Sequence, residues 1–396
     1  YTFIGGGGID TVQIDGNRDD WLFIEDSVLS PTSRFELQNI STGVTHSFQT
    51  VDRVVFDDAT IYVNPLNYFP FGSDDSRLGG FSGDTIDGGS GNDTIDGGVG
   101  ADSITGNEGA DSIIGGAGTY ISLSASYFTN GIQLVSVVGD DFPKETIQGF
   151  GNRGIATEGL QVKEGEKSFF WSGKYHNDLN SRDTLVTELN VLGDFDPVIP
   201  DSYQGAEFLM LGNLSPDVQL KVIDRLEERP KLVALDTMNF WMRVAMDDLK
   251  AVIRKIDVLI INDEEARQFT GEYSLVKAAR HILNYGLKYL VIKKGEHGAL
   301  LFHNDHVFFA PALPLEEVFD PTGAGDTFAG GFMGYVAKTK DISYDNLKRA
   351  VIYGSAMASF CVEKFGTERL EDLKKDEVTS RIRQFVNLVS VDIDLV

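Results

Sequence analysis

From residue 207 onward, short apolar runs alternate with amphipathic stretches of helical period. The apolar runs are predicted to be buried strands and occupy residues 208–212, 232–236, 258–262 and 289–293. The stretches between them are predicted to be helices and occupy residues 217–228, 242–255 and 274–285. Strands that alternate with helices build a parallel sheet with helices on both faces. The pattern therefore predicts an α/β domain whose ligands bind at the carboxyl ends of the strands.

Weaker signals of the same kind flank this region. Further strands are predicted at residues 133–139, 168–173, 184–192 and 306–311. A late helix is predicted at residues 347–364, and it contains the small residues Gly354, Ser355, Ala356 and Ala358. These small side chains either leave room for a flat ligand or allow close helix packing.

A different pattern, a nine-residue repeat, fills residues 79–114 in four consecutive copies. Each copy begins with glycine, carries Ile at its eighth position and carries Asp at its sixth, namely Asp84, Asp93, Asp102 and Asp111. Glycines form tight turns, the Ile side chains stack inward, and the aligned carboxylates need a hard cation such as Ca²⁺. The repeat predicts a parallel β-roll; the alternative, a disordered glycine-rich linker, does not explain the regular Ile. It resembles the calcium-binding repeats of secreted RTX proteins.

Charge and glycine content separate the same two parts of the chain. The net charge is −26, and residues 1–118 contain 19 acidic and four basic side chains. Such an acidic chain is not expected to bind nucleic acid, whose phosphates require a basic surface. No apolar run reaches the length of a membrane span, and the single Cys361 excludes an internal disulfide. We divide the chain into a β-rich spacer with a degenerate repeat (1–78), an RTX-like calcium β-roll (79–118) and an α/β domain (115–396).

The most specific motif of the α/β domain lies at residues 319–332, where a loop meets a helical pattern. Gly323-Ala324-Gly325 places backbone N–H groups at the start of the helix, where they can bind an anion. Asp326 follows directly, and a carboxylate beside an anion site can accept a proton. The alternative is a glycine-rich turn in which Asp326 caps the helix.

This motif resembles the signature of the ribokinase-type (PfkB) carbohydrate kinases, and the resemblance covers about residues 115–396. In that family the glycine turn forms an anion hole, and the Asp deprotonates the hydroxyl group that attacks the γ-phosphate of ATP. The resemblance implies a ribokinase-like fold with a small β lid, formed here by residues 168–173 and 184–192, through which a homodimer can form. It also implies ATP and Mg²⁺ as cofactors, with Gly323, Ala324, Gly325 and Asp326 as the catalytic group.

The resemblance assigns further residues to ligands. Asn262 and Glu265 correspond to the family's magnesium motif, although Asn followed three residues later by Glu is also a capping box. The nucleotide is assigned Thr322, Lys293, Gly295, Gly298 and Ser355. The substrate is assigned Gly115, Gly116 and Asp236.

One part of the family's pattern is missing. The family's fold begins with a central strand whose following loop carries an Asp that binds the sugar, and residues 64–114 contain no stretch of that form. The resemblance therefore implies a kinase domain that lacks its first strand.

The sequence predicts ATP-dependent phosphorylation of a sugar or nucleoside hydroxyl group, with Asp326 as the general base. The alternatives are a secreted calcium-binding module and a catalytically impaired chimera. A dominant kinase part indicates the cytoplasm, whereas a dominant RTX-like part indicates an extracellular protein.

Overall fold

The computed structural model of the chain describes residues 116–175, 182–364 and 366–390, together with short strands within residues 1–113. It divides the chain into two compact units. The first comprises Tyr1–Ile113 and Lys174–Asp183, and the second comprises Ile114–Gly173 and Thr184–Val396.

The described part of the first unit is built from short β-strands. These strands are β1 (Thr2–Ile4), β2 (Thr11–Gln13), β3 (Trp21–Glu25), β4 (Arg34–Asn39), β5 (Thr45–Gln49), β6 (Arg53–Val55), β7 (Thr60–Tyr62), β8 (Ser76–Leu78), β9 (Thr85–Asp87), β10 (Thr94–Asp96) and β11 (Ser103–Thr105). The last three coincide with the Ile positions of consecutive repeat copies. Strand β11 pairs in parallel with β9, and β10 pairs in parallel with β8. In each pair the two strands are separated along the chain by two repeat lengths. The predicted Ca²⁺ ligands Asp84, Asp93, Asp102 and Asp111 lie outside the described residues.

The remaining strands follow in chain order. They are β12 (Ile132–Gly139), β13 (Ile155–Lys163), β14 (Phe170–Tyr175), β15 (Arg182–Glu188), β16 (Phe208–Leu211), β17 (Leu232–Asp236), β18 (Val258–Asn262), β19 (Tyr289–Lys293), β20 (Ala299–His303) and β21 (His306–Ala310). Strands β16 to β21 form one sheet, in which their order follows the sequence. Strands β16, β17, β18 and β19 run parallel to one another, whereas β20 and β21 are antiparallel to their neighbours. The expectation of a purely parallel sheet is therefore wrong, and the central sheet is mixed.

The antiparallel edge results from a tight reversal after β19. Residues Gly295–His297 form a single 3₁₀ turn, and Gly298 has φ +84°. A side chain at Gly298 would place its Cβ 2.0 Å from the carbonyl oxygen of Ala310 on β21. Only glycine fits there, since both the positive φ and the contact exclude a Cβ. The turn sends the chain back along β19 as β20, which the sequence did not predict.

The described residues form eleven α-helices, and some of these cover both faces of this sheet. In chain order they are α1 (Ala117–Ala125), α2 (Lys144–Asn152), α3 (Pro216–Asp224), α4 (Asn239–Val244), α5 (Met246–Ile253), α6 (Asp263–Thr270), α7 (Leu275–Leu283), α8 (Ala324–Thr339), α9 (Tyr344–Cys361), α10 (Glu368–Asp372) and α11 (Lys375–Val389). Side chains that alternate along β17 enter two different cores. Val233 and Leu235 pack with α5, α6 and α7, whereas Leu232 and Ala234 pack with α8 and α9. None of the described helices combines the length and the apolar surface that a membrane span requires.

The helix predicted at residues 242–255 is divided in the structure. Ala245 adopts φ −143° and ψ 39°, which is not helical, and it ends α4 and begins α5. The strand predicted at 184–192 also stops early, at Glu188, and a 3₁₀ turn follows at Asn190–Leu192. Strand β14 begins at Phe170 rather than residue 168 and pairs with β15; residues 176–181 between them lie outside the described part.

Strands β12 and β13 form a separate parallel sheet. Helix α1 contacts this sheet through Gly118, where an added Cβ would lie 3.3 Å from Leu134 on β12. The same helix reaches the end of β16, because a Cβ on Gly212 would lie 3.1 Å from Ile121. Helix α1 also packs closely on α8, and a Cβ on Gly330 would lie 2.3 Å from the Ile121 carbonyl oxygen. Helix α1 therefore connects both sheets to the helix that carries the glycine motif.

Candidate active site

Three neighbouring strands of the mixed sheet end in polar residues. Strand β17 ends at Asp236, β18 at Asn262 and β19 at Lys293. Asn262 and Lys293 are directly opposite each other in the β18–β19 register. Because the carboxyl ends of parallel strands meet at one edge, these side chains converge at the place where ligands bind in such folds.

The ammonium group of Lys293 is paired with the carboxylate of Asp236. Its Nζ donates to both carboxylate oxygens, at 3.2 and 3.3 Å. The Asp236 side chain is 6% exposed and that of Lys293 is 17% exposed. Burial lowers the pKa of Lys293, but three nearby carboxylates outweigh that effect, so the net shift of the pKa is upward. These carboxylates belong to Asp236, Glu265 and Asp326.

Asn262 and Glu265 form a complete capping box at the start of α6. The Asn262 side chain accepts the Glu265 backbone N–H at 2.8 Å, and Glu265 Oε2 accepts the Asn262 backbone N–H at 2.8 Å. The structure therefore contains the cap that the sequence left as an alternative. It also buries the Glu265 carboxylate beside the strand ends, with 4% of the residue exposed, so the cap and a ligand-binding role are compatible.

The glycine motif forms the start of α8. Gly323 is the N-cap with φ +76°, and Asp326 lies in the first turn of the helix. Before it, the buried Asp320 accepts the Thr322 backbone N–H at 2.8 Å and fixes the entry of the loop. The first turn of a helix presents backbone N–H groups without intrahelical partners, and its dipole favours negative charge. The predicted helix start and the carboxylate beside it are therefore adjacent in the structure, whereas their roles as anion site and general base stay predictions.

Two packing contacts fix this turn. A Cβ on Gly323 would lie 2.4 Å from the ring of Tyr120, a residue of α1 that is 3% exposed. A Cβ on Gly325 would lie 2.8 Å from Nζ of Lys293. The turn is therefore held between an aromatic ring from α1 and the buried ammonium group at the end of β19.

The predicted nucleotide residues lie on several different elements. Gly298 is required by its packing on β21, as described above, and the Thr322 carbonyl oxygen accepts from Cys361 Sγ at 3.5 Å. Burial raises the pKa of Cys361 to about 12, so this thiol stays protonated. Ser355 is buried within α9. Its neighbour Gly354 is needed for helix packing, because a Cβ there would lie 2.7 Å from the Phe328 carbonyl oxygen.

Of the predicted substrate residues, Gly116 is the N-cap of α1 with φ +94°, and Gly115 lies outside the described residues. Asp236 is at the site, but its carboxylate is bound by Lys293. Sequence reasoning missed this ion pair and the contact between Tyr120 and Gly323. The end positions of β17 and β19 could have indicated the pair, whereas nothing local to residue 120 indicates its partner.

Comparison with known proteins places both parts of the chain. A family model described as pfkB family carbohydrate kinase matches residues 108–373. The RTX calcium-binding nonapeptide repeat matches residues 78–113 and 87–120.

Relatives share the α/β part. The chain is 31% identical to cytidine kinase of Thermococcus kodakarensis over 256 residues, which are 63% of this chain and 88% of the relative. It is 25% identical to nucleoside kinase of Methanocaldococcus jannaschii over 169 residues, 41% of this chain and 51% of the relative.

Solved structures give the same fold. The crystal structure of the nucleoside kinase from M. jannaschii has a TM-score of 0.56 and 23% identity, covering 68% of this chain and 86% of that one. Ribokinase from Thermotoga maritima has a TM-score of 0.55 and 20% identity, covering 68% and 87%. The α/β part has a ribokinase-like fold with a mixed central sheet.

Proposed function

Since this chain belongs to the pfkB family of carbohydrate kinases, which transfer phosphate to an alcohol group, we propose that it phosphorylates a nucleoside hydroxyl with ATP. The observation that carries the proposal is the position of Asp326, which directly follows the glycine turn at the start of α8 and is one of the carboxylates that raise the pKa of Lys293 at the strand ends. A base beside an anion site is what phosphoryl transfer to a hydroxyl group requires.

The proposed chemistry relies on positioning and electrostatics. Asp326 accepts the proton of the attacking hydroxyl group, and the N–H groups of the Gly323–Gly325 turn stabilise the charge on the transferred phosphoryl group. Lys293 adds a positive charge close to this turn. The acceptor and the phosphate are held in line, which accounts for most of the rate enhancement in this type of reaction.

The donor atoms of the site fit Mg²⁺ bound with ATP. In the part of the chain that the structure describes, no three His, Cys, Asp or Glu side chains are arranged to hold a metal ion. Mg²⁺ keeps several waters and binds through one or two carboxylates together with substrate phosphates. We assign the protein's contact with the hydrated Mg²⁺ to the side chains of Glu265 and Asn262. When bound there with ATP, Mg²⁺ would supply positive charge to the phosphate oxygens.

A nucleoside acceptor is favoured by the similarity to a cytidine kinase that is matched over 88% of its length. We expect the full-length chain with MgATP to phosphorylate cytidine with a kcat/KM at least about tenfold above that for ribose, the ratio that roughly 1.4 kcal/mol of base recognition provides. ADP release in a coupled assay measures this, with adenosine, inosine and fructose in the same panel. ATP hydrolysis without an acceptor is the background.

Two results would contradict the nucleoside assignment. Faster transfer to ribose would make the chain a sugar kinase. An absence of transfer to every acceptor, in a chain that still binds MgATP, would favour the impaired chimera.

The observation that supports the impaired chimera is that β12 and β16 each pair on one side only among the described strands. A missing first strand between them would explain both unpaired edges.

We also propose that the RTX repeats form a calcium-binding β-roll. The support is the parallel pairing of β11 with β9 and of β10 with β8, a strand just before the first copy; in both pairs the partners are two repeat lengths apart. Such pairing places alternate copies in the same sheet, as a roll with one copy per half-turn requires. A dominant calcium-binding part indicates an extracellular setting, where calcium is abundant enough for modules that bind at about 10⁻⁴–10⁻³ M, whereas a dominant kinase part indicates the cytoplasm.

Calcium is expected to protect this part of the full-length chain from proteolysis. Raising Ca²⁺ to about 5 mM, above the binding range of extracellular modules, should slow cleavage within residues 1–113 at least about tenfold, because folding is coupled to metal binding. Mass spectrometry of the fragments locates the cuts. Mg²⁺ at the same concentration is the control, together with a variant carrying Asp93→Asn and Asp111→Asn. Equal protection by Mg²⁺, or in that variant, would contradict a calcium roll.

A further inference from the structure

Lys293 is held inside the site by contacts on two sides. Its ammonium group lies 3.2 and 3.3 Å from the two carboxylate oxygens of Asp236. On the other side, it lies so close to Gly325 that a Cβ there would be 2.8 Å away. The ammonium group therefore fills the space below the first turn of α8 and joins it to the end of β17.

We propose that Lys293 is a positioning residue, whose ammonium group fixes the Gly323–Gly325 turn and Asp326 against the carboxyl end of β17 through its ion pair with Asp236. This inference rests on the proposed kinase function for its catalytic consequence, whereas the contact itself is independent of any activity. It replaces the sequence-based assignment of Lys293 to the nucleotide. A lysine that binds phosphate directly acts as a mobile point charge, whereas this one is bound on the protein side.

The charge balance of the site explains why a cation is needed there. The ammonium group is paired with the carboxylate of Asp236, and the charges of Glu265 and Asp326 also raise its pKa. Without it, three buried or half-buried carboxylates would repel one another at one edge of the sheet, and leaving a buried charge unpaired is costly. With it, the repulsion among the three carboxylates is reduced, although the net charge of the cluster remains negative.

Lys293→Met separates positioning from direct binding. Misplacing a reacting group by about 1 Å costs about a hundredfold in rate, so we expect kcat to fall about 10–100-fold while KM for ATP changes less than about threefold. A direct phosphate ligand would instead raise KM for ATP by a similar factor, and that result would overturn the proposal. The matched control is Lys288→Met, which breaks another lysine pair with a buried carboxylate, Asp257, at 3.1 Å. Lys288 precedes the opposite end of β19, so its loss should leave kcat and KM unchanged.

Gly325→Ala tests the contact while keeping the lysine. Gly325 lies in α8 and has no positive φ, so alanine is allowed by the backbone but displaces Nζ. In Lys293→Met the shorter side chain ends near the position of Cε, which is 3.7 Å from the added Cβ, an ordinary contact. We therefore expect Gly325→Ala to lower kcat about tenfold or more in the wild type and less than about twofold in Lys293→Met.

Thermal unfolding of the wild type, Gly325→Ala, Lys293→Met and the double variant tests the contact without an activity assay. Gly325→Ala should lower Tm in the wild type and not in Lys293→Met, because the effects of substitutions at two residues in contact are not additive. Additive changes in Tm would overturn the proposed contact. If the wild type transfers no phosphate, the kinase proposal fails and the Tm cycle still decides the contact. If it does transfer phosphate, additive changes in kcat overturn the positioning role alone.

Discussion

Asp326→Asn is expected to reduce kcat by about 10²–10⁴-fold, the usual contribution of a general base. The amide has nearly the same shape as the carboxylate, so the start of α8 and its N–H groups should stay in place. Asparagine cannot accept the proton of the attacking hydroxyl group. KM for ATP should change little, because the glycine turn that binds the phosphate is unaltered. Steady-state kinetics with a saturating acceptor measures both constants.

Asp345→Asn is the matched control for this substitution. Asp345 also lies in the first turn of a helix, α9, but its side chain is 73% exposed and pairs with Lys348 on the same helix. Its removal changes a helix-dipole contact worth well under about 1 kcal/mol and should leave kcat within about twofold. If Asp326→Asn behaved like Asp345→Asn, Asp326 would be an ordinary acidic residue of a first helical turn and not a base.

The strands that form the centre of the fold could be predicted from sequence with accurate limits. The predicted strands at 232–236, 258–262 and 289–293 coincide with β17, β18 and β19. All but the last residues of β18 and β19 are buried, and β17 is buried throughout. Burial on both faces requires continuous apolar runs, which are conspicuous in sequence.

Strands with one exposed face were harder to predict. Strand β13 was missed, since its burial is irregular and polar residues such as Glu158 and Gln161 interrupt it. Strand β20 was missed because the chain reverses after β19 only through the positive φ at Gly298, and this reversal sets the direction of β20. A half-buried strand is defined by its neighbours more than by its own composition.

The site could be predicted as a set of residues but not as a set of contacts. The turn at Gly323–Gly325, Asp326 and the box at Asn262 each have a local signature. The pairing of Lys293 with Asp236 joins residues 57 positions apart, and the ring of Tyr120 reaches Gly323 from the other end of the domain. Such contacts depend on the order of strands and on helix packing, which one sequence without its fold does not specify.

Gly323→Ala is expected to be the most destabilising single substitution at the turn. Alanine at φ +76° costs about 1–2 kcal/mol. Its Cβ would also lie 2.4–2.5 Å from three ring atoms of Tyr120, and overpacking of a core contact adds about 1–3 kcal/mol. The free energy of unfolding should therefore fall by roughly 2–5 kcal/mol, as measured by denaturant titration of the full-length chain. The shifted turn should also lower kcat about a hundredfold.

Gly271→Ala isolates the backbone part of this cost. Gly271 ends α6 with φ +73°, and an added Cβ there meets nothing within 4 Å. The difference between the two alanine variants is therefore the contact with the ring, expected at about 1–3 kcal/mol. Tyr120→Leu removes the ring atoms concerned, so Gly323→Ala should cost less in that background, a coupling between neighbours. If Gly323→Ala and Gly271→Ala lowered the free energy of unfolding equally, the Tyr120 ring would have moved aside without cost. In that case α1 would not fix the catalytic turn.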